Sequence, residues 1–155
     1  MKRMFCASFF FVSEENKMAY SGYLVKVGTG SSAYTIPLSF IKAESYKVTR
    51  LVQDLDSYRD ADGVLHRNAL SHVPIKCEFE CVPMLTNTEI TAVVNAIRSR
   101  FSNAPERKAT VSVYVPESDS YVEQAMYMPD IEYNMYYADT SIIQYNSVRF
   151  AFIGY

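Results

Sequence analysis

The sequence predicts a mainly β domain, α+β by content, with about eight strands forming a sandwich or barrel beside one flanking amphipathic helix. Three observations carry this expectation. Two-residue alternation recurs along the chain, most clearly from Val73 to Val82, where Val73, Ile75, Cys77, Phe79 and Cys81 share one face and His72, Lys76, Glu78 and Glu80 the other. One segment alone combines a helix-start signal with a helical apolar stripe. Thirteen Tyr and nine Phe against five Gly, with 49% apolar residues, mark an ordered β-rich chain rather than a disordered one. A length of 155 residues suits a single core, and one domain over residues 18–155 is expected.

Residues 1–17 differ from the rest. Lys2 and Arg3 precede an apolar run from Met4 to Val12, and Ser13 to Lys17 is polar. This mimics an export signal, but the run is short, well under the ~20 residues that span a bilayer, and no small-residue cleavage site follows. Glu14-Glu15 can be encoded as GAGGAG, a bacterial ribosome-binding sequence at a workable distance from the Met18 codon. Residues 1–17 are therefore expected to be an extension outside the domain, either an unstructured lead or, with Met18 as the alternative start, left untranslated.

From Tyr23 onward the elements follow in order. Tyr23 to Val27 and Tyr34 to Leu38 flank the Gly28-Thr29-Gly30-Ser31-Ser32 turn as a hairpin, and Pro37 favours an edge. Ser45 to Leu55 is a β-branched run, partly apolar on both faces, and is expected as an inner strand. Residues 56–72 form a long connector around the Asp62-Gly63 turn signal, predicting a protruding β-arm. Thr86-Asn87-Thr88-Glu89 is a capping box, and Ile90, Val93, Val94, Ile97 and Phe101 form one stripe, so a helix spans about 86–101 and lies on a sheet. It stops before Pro105. Ala109 to Val115 and Tyr121 to Met128 make a hairpin with a five-residue connection, and Ile131 to Tyr137 and Ile142 to Ile153 supply the last strands.

Candidate chemistry is sparse. Cys77 and Cys81 on one strand stand ~13 Å apart, too far to share a metal ion or a disulfide, and read as core thiols. Asp54, Asp56, Asp60 and Asp62 precede Gly63 but miss the calcium-loop spacing from either start. No nucleophile elbow, phosphate loop or dinucleotide fingerprint occurs. Neither an enzyme nor a cofactor is expected. Fifteen basic against 17 acidic side chains, net charge −2, provide no field to hold nucleic acid or an acidic membrane. Three Cys need no disulfide framework and suit a reducing compartment.

Contact between subunits is the remaining use of the unusual residues. On the arm, Arg59 and Arg67 flank Asp62-Gly63, with Tyr58, Asp60 and His66 beside them; these charges can pair locally or reach an acidic partner, which Arg suits by bidentate contact, and the length of the connector favours the second. Tyr133, Tyr136, Tyr137 and Tyr145 are candidate interface aromatics.

Ser45-Tyr46-Lys47-Val48, Gln53-Asp54-Leu55-Asp56 and Arg59-Asp60-Ala61-Asp62-Gly63-Val64-Leu65-His66-Arg67 resemble a group of small proteins encoded in the tail modules of tailed bacteriophages and prophages. The Arg-x-x-x-Gly-x-x-x-Arg block is the most specific part, and the matching stretch covers about a fifth of the chain. The order of elements also resembles the tail-tube fold of tube, distal-tail and terminator proteins. The resemblance implies a virion tail component that self-assembles into a ring, usually hexameric, with the arm (Tyr58, Arg59, Asp60, Asp62, Gly63, His66, Arg67) on a neighbouring subunit. It implies other tail proteins as partners, DNA only as passing cargo, no membrane, and assembly in the host cytoplasm. The alternative is a monomeric β-sandwich that binds a carbohydrate or receptor through surface tyrosines.

Overall fold

The computed structural model describes residues 19–155; the expectation for residues 1–17 and Met18 lies outside the described residues. Seven strands form one antiparallel sheet in the order β2-β1-β8-β9-β12-β6-β3. They are β1 (Val25–Val27), β2 (Tyr34–Thr35), β3 (Lys47–Arg50), β6 (Ile75–Glu80), β8 (Lys108–Val115), β9 (Ser120–Tyr127) and β12 (Arg149–Gly154). A two-stranded ribbon, β4 (Asp54–Arg59) with β5 (Leu65–Ala69), stands apart as the arm. A three-stranded sheet in the order β10-β11-β7 combines β10 (Met135–Ala138), β11 (Ile143–Tyr145) and β7 (Leu85–Thr86). The single helix among the described residues, α1, runs Asn87–Arg98. The mainly β class with one flanking helix is the one the sequence predicts.

The two clearest sequence patterns form as expected. β6 buries Ile75, Cys77 and Phe79 and leaves Lys76, Glu78 and Glu80 half-buried, because alternation puts the charged residues on the opposite face. Thr86 Oγ1 accepts the Glu89 amide at 3.4 Å while Glu89 Oε2 accepts the Thr86 amide at 2.9 Å, so two otherwise unpaired donors at the helix start are satisfied. Ile90, Val93, Val94 and Ile97 of α1 are buried in the same core as Val111, Val113, Phe150 and Phe152. The helix ends at Arg98 rather than Phe101; Ser99 Oγ bonds to the Ala96 carbonyl, and Arg100 and Phe101 continue in tighter three-residue turns.

Other expectations are corrected. Ser45 to Leu55 is not one inner strand. β3 pairs only with β6 at the edge of the large sheet, and the chain then turns out into β4, so the arm begins at Asp54. The β-branched run carries no mark of this exit, which is fixed by Leu51 donating to the Pro74 carbonyl and Leu70 to the Gln53 carbonyl. Ile142 to Ile153 divides at Asn146-Ser147 into β11 of the small sheet and β12 of the large one. Only Met135–Ala138 of the Ile131 to Tyr137 segment is strand. Ser120 already belongs to β9, which shortens the β8–β9 connection.

The large sheet curls. Tyr46, just ahead of the β3 edge, donates from its hydroxyl to the Tyr114 carbonyl at 2.7 Å on β8, which lies four places away in the strand order. Arg50 of β3 pairs with Glu117 in the β8–β9 connection at 3.3 Å. Leu85 of β7 and Tyr145 of β11 pack against the core, so the small sheet shares it.

Gly154, on β12, leaves no room for a side chain. A Cβ there would stand 2.5 Å from Gln124 Oε1, the atom that accepts the Ile75 amide at 3.0 Å. Gly154→Ala is expected to destabilise the fold by about 1–3 kcal/mol, from overpacking and the loss of that bond. A denaturant midpoint equal to that of the parent would contradict this.

Candidate assembly surface

The arm is built around its turn. Asp60, at the start of the turn, accepts the Asp62 and Val64 amides through Oδ1 at 3.1 and 2.9 Å, and its carbonyl accepts the Gly63 amide. Gly63 has φ +81°, a left-handed conformation that a side chain resists, which is why glycine closes this turn. Counting outward sets the register: Arg59 opposite Leu65, Tyr58 opposite His66, Ser57 opposite Arg67. The Tyr58 and His66 rings stack at 4.8 Å, and His66 Nε2 lies 2.8 Å from Asp60 Oδ2.

Among the described residues, every side-chain hydrogen bond and ion pair of the arm closes within it. Arg67 grips Asp54 with two bonds of 3.0 and 2.8 Å, and Arg59 donates to the Gly63 carbonyl at 2.8 Å. The two arginines, expected to reach an acidic partner, are thus occupied locally. The Arg67 guanidinium holds the Asp54 carboxyl below the usual carboxylate range, and His66, followed by the turn amides, does the same for Asp60. Asp54 was missed as the partner of Arg67 because an irregularity in register between Asp54 and Asp56 shifts it, and simple alternation does not show that.

All eleven residues of β4 and β5 are exposed. Leu55 is 69% exposed, Tyr58 58% and Val64, in the turn, 55%. Leu55, Val64 and Leu65, which the sequence reading does not single out, and Tyr58, which it does, therefore have no cover among the described residues.

The four candidate tyrosines lie on or beside the small sheet. Tyr136 and Tyr137 are exposed on β10, which pairs on one side only, with β11. Tyr133 meets Tyr145 edge to face at 5.9 Å, and both line an open groove of about 280 Å³ along α1 with Asn87, Thr91, Asn95 and Arg98. Asn87, Thr91 and Asn95 recur every four residues and so form one polar row on the helix. A second tyrosine cluster escaped the sequence reading because its members are far apart in the chain. Tyr23 stacks on Tyr121 at 4.3 Å, Tyr20 meets Tyr114 edge on, and the Tyr121 hydroxyl donates to the Tyr23 carbonyl. These rings fasten the segment before β1 to the large sheet.

Cys77 and Cys81 are fully buried thiols, as their strand positions predict, and burial pushes Cys77 up to about 12. Neither is expected to react with an aromatic disulfide reagent at pH 8 until the protein is unfolded, as peptide mass mapping can check; rapid labelling of the folded protein would contradict the burial. Among the described residues no three His, Cys, Asp or Glu side chains gather as a metal site requires, and no helix is long and apolar enough to cross a membrane.

Two solved structures contain chains similar to this one. One is in the tail of an empty gene transfer agent particle refined with C6 symmetry, at 12% identity and TM-score 0.46, covering 86% of this chain and 91% of that chain. The other is in the virion of a native gene transfer agent particle, at 14% identity and TM-score 0.45, with the same coverage of 86% and 91%. No curated protein matches the sequence. A family model matches residues 18–155, nearly the whole sequence, and the chain belongs to that family, described as the Family of unknown function (DUF6711).

Proposed function

We propose that this chain is a structural subunit of a phage or prophage tail that acts by self-assembly into a ring, as a tube, distal-tail or connector component. The observation that carries the reading is the arm. A two-stranded ribbon is marginal in water by itself, and this one displays Leu55, Tyr58, Val64 and Leu65 with no cover from the described residues. A neighbouring subunit supplies the cover. The arm also bears the Arg59-x-x-x-Gly63-x-x-x-Arg67 block on which the sequence resemblance rests.

In this reading each arm crosses to the next subunit, and closure of the ring, with six copies the expected number, brings the sheet edges of neighbours together. The edge strand β3 carries Lys47 and Arg50, and Pro37 follows the edge strand β2, devices that discourage uncontrolled pairing. The slightly acidic balance suits a lumen through which DNA passes without sticking. The subunit is a scaffold rather than an enzyme and works in the virion, with other tail proteins above and below it.

Size-exclusion chromatography with light scattering, followed by negative-stain imaging, tests the reading. Closed rings of uniform mass are expected. A chain that stays monomeric at every concentration and never joins virions would overturn it.

A further inference from the structure

Among the described arginines, Arg98 alone has neither an ion pair nor a hydrogen bond. Arg50, Arg67, Arg107 and Arg149 are paired with carboxylates, Arg59 bonds to a carbonyl and Arg100 to a hydroxyl. Arg98 lines the α1 groove, where Tyr133 and Tyr145 stand beside the buried Ile90 and Val94 and the helix row offers amides and a hydroxyl from Asn87, Asn95 and Thr91. The arm tip has the opposite character. Among the described residues Asp62 makes no side-chain hydrogen bond or ion pair, in contrast to Asp54 and Asp60, and exposed Val64 lies two residues on.

We propose that the α1 groove of one copy receives the arm tip of another, with Asp62 against Arg98 and Val64 against Tyr133 and Tyr145. The inference rests on the self-assembly reading and names the acceptor surface. Charge complementarity selects the occupant. An unpaired exposed carboxylate at the end of an uncovered ribbon matches an unpaired guanidinium in an uncovered groove, and both belong to the same sequence. The polar row of α1 has donors for the carbonyls of a turn, and the groove has room for one or two side chains. Isolated exposed ion pairs add little, but once the turn is seated this pair is shielded from water, and reversing either charge sets like charges together.

The test is charge exchange within one chain. Arg98→Asp and Asp62→Arg should each raise the concentration at which assembly is half complete by roughly tenfold or more, and the double variant should return it to within about threefold of the parent. A second measurement uses Asp62→Cys with Arg98→Cys in a Cys6→Ser background and a short bis-maleimide. Mass mapping should find residue 62 of one copy joined to residue 98 of another. Circular dichroism checks that each variant folds. Assembly that tolerates both single reversals, or that the double exchange fails to restore, would overturn this inference and leave the self-assembly reading standing. Failure of the parent protein to assemble would overturn both.

Discussion

Replacing Phe150 with alanine lowers the unfolding free energy by about 3–5 kcal/mol, the range for removing a large buried aromatic. Phe150 is fully buried on β12, stacks on Phe79 at 5.5 Å and meets Phe40 edge on at 5.4 Å, so it joins β12, β6 and the turn that leads to β3. β12 pairs with both β6 and β9, and a cavity there loosens the middle of the sheet rather than an edge. Against a typical domain stability of about 5–15 kcal/mol, the loss removes a large share of the margin. Phe150→Leu, which keeps most of the volume, should cost far less. Urea unfolding followed by circular dichroism measures both, and an alanine variant within 1 kcal/mol of the parent, on the ~3–5 kcal/mol scale above, would show that this ring does not tie the strands together.

Removing the arm has the opposite profile, a small effect on folding and a complete effect on assembly. Leu70 donates to the Gln53 carbonyl, so the chain is already paired where the arm leaves it, and residues 54–69 can be replaced by an Asn-Gly turn. The side-chain bonds of the arm all close within it, and its deletion leaves none of their partners unsatisfied in the body. Stability should change by no more than about 1 kcal/mol, the scale of a surface loop change. Light scattering should then report a monomer at concentrations where the parent forms rings. Undiminished assembly of the shortened chain would remove the arm from the interface.

The parts legible in the sequence are those decided locally. The helix announces itself because Thr86 and Glu89 complete a cap three residues apart and the stripe behind it faces one way. β6 is legible because its alternation is unbroken, and the arm because Asp62-Gly63 marks a turn in the middle of a long connector. The failures share a cause, since which strand lies beside which is a long-range matter. Nothing local in Ser45 to Leu55 says that β3 ends a sheet, and nothing in Ile142 to Ile153 says that the chain changes sheets at Asn146. The arginines of the arm were legible as a pair around the turn, but their partners depended on a register irregularity near Asp54. Asp62 is legible as part of the arm, but that Arg98 stands without a partner among the described residues shows only when the other charges are matched in space.

Amide hydrogen exchange, followed peptide by peptide at concentrations below and above assembly, examines the role of the arm most directly. Residues 54–69 should exchange quickly in the dilute protein, because both faces of the ribbon meet water, and should become strongly protected on assembly, together with residues 87–98 and 133–145. Arm amides that exchange equally fast in the assembled and dilute states would contradict the account.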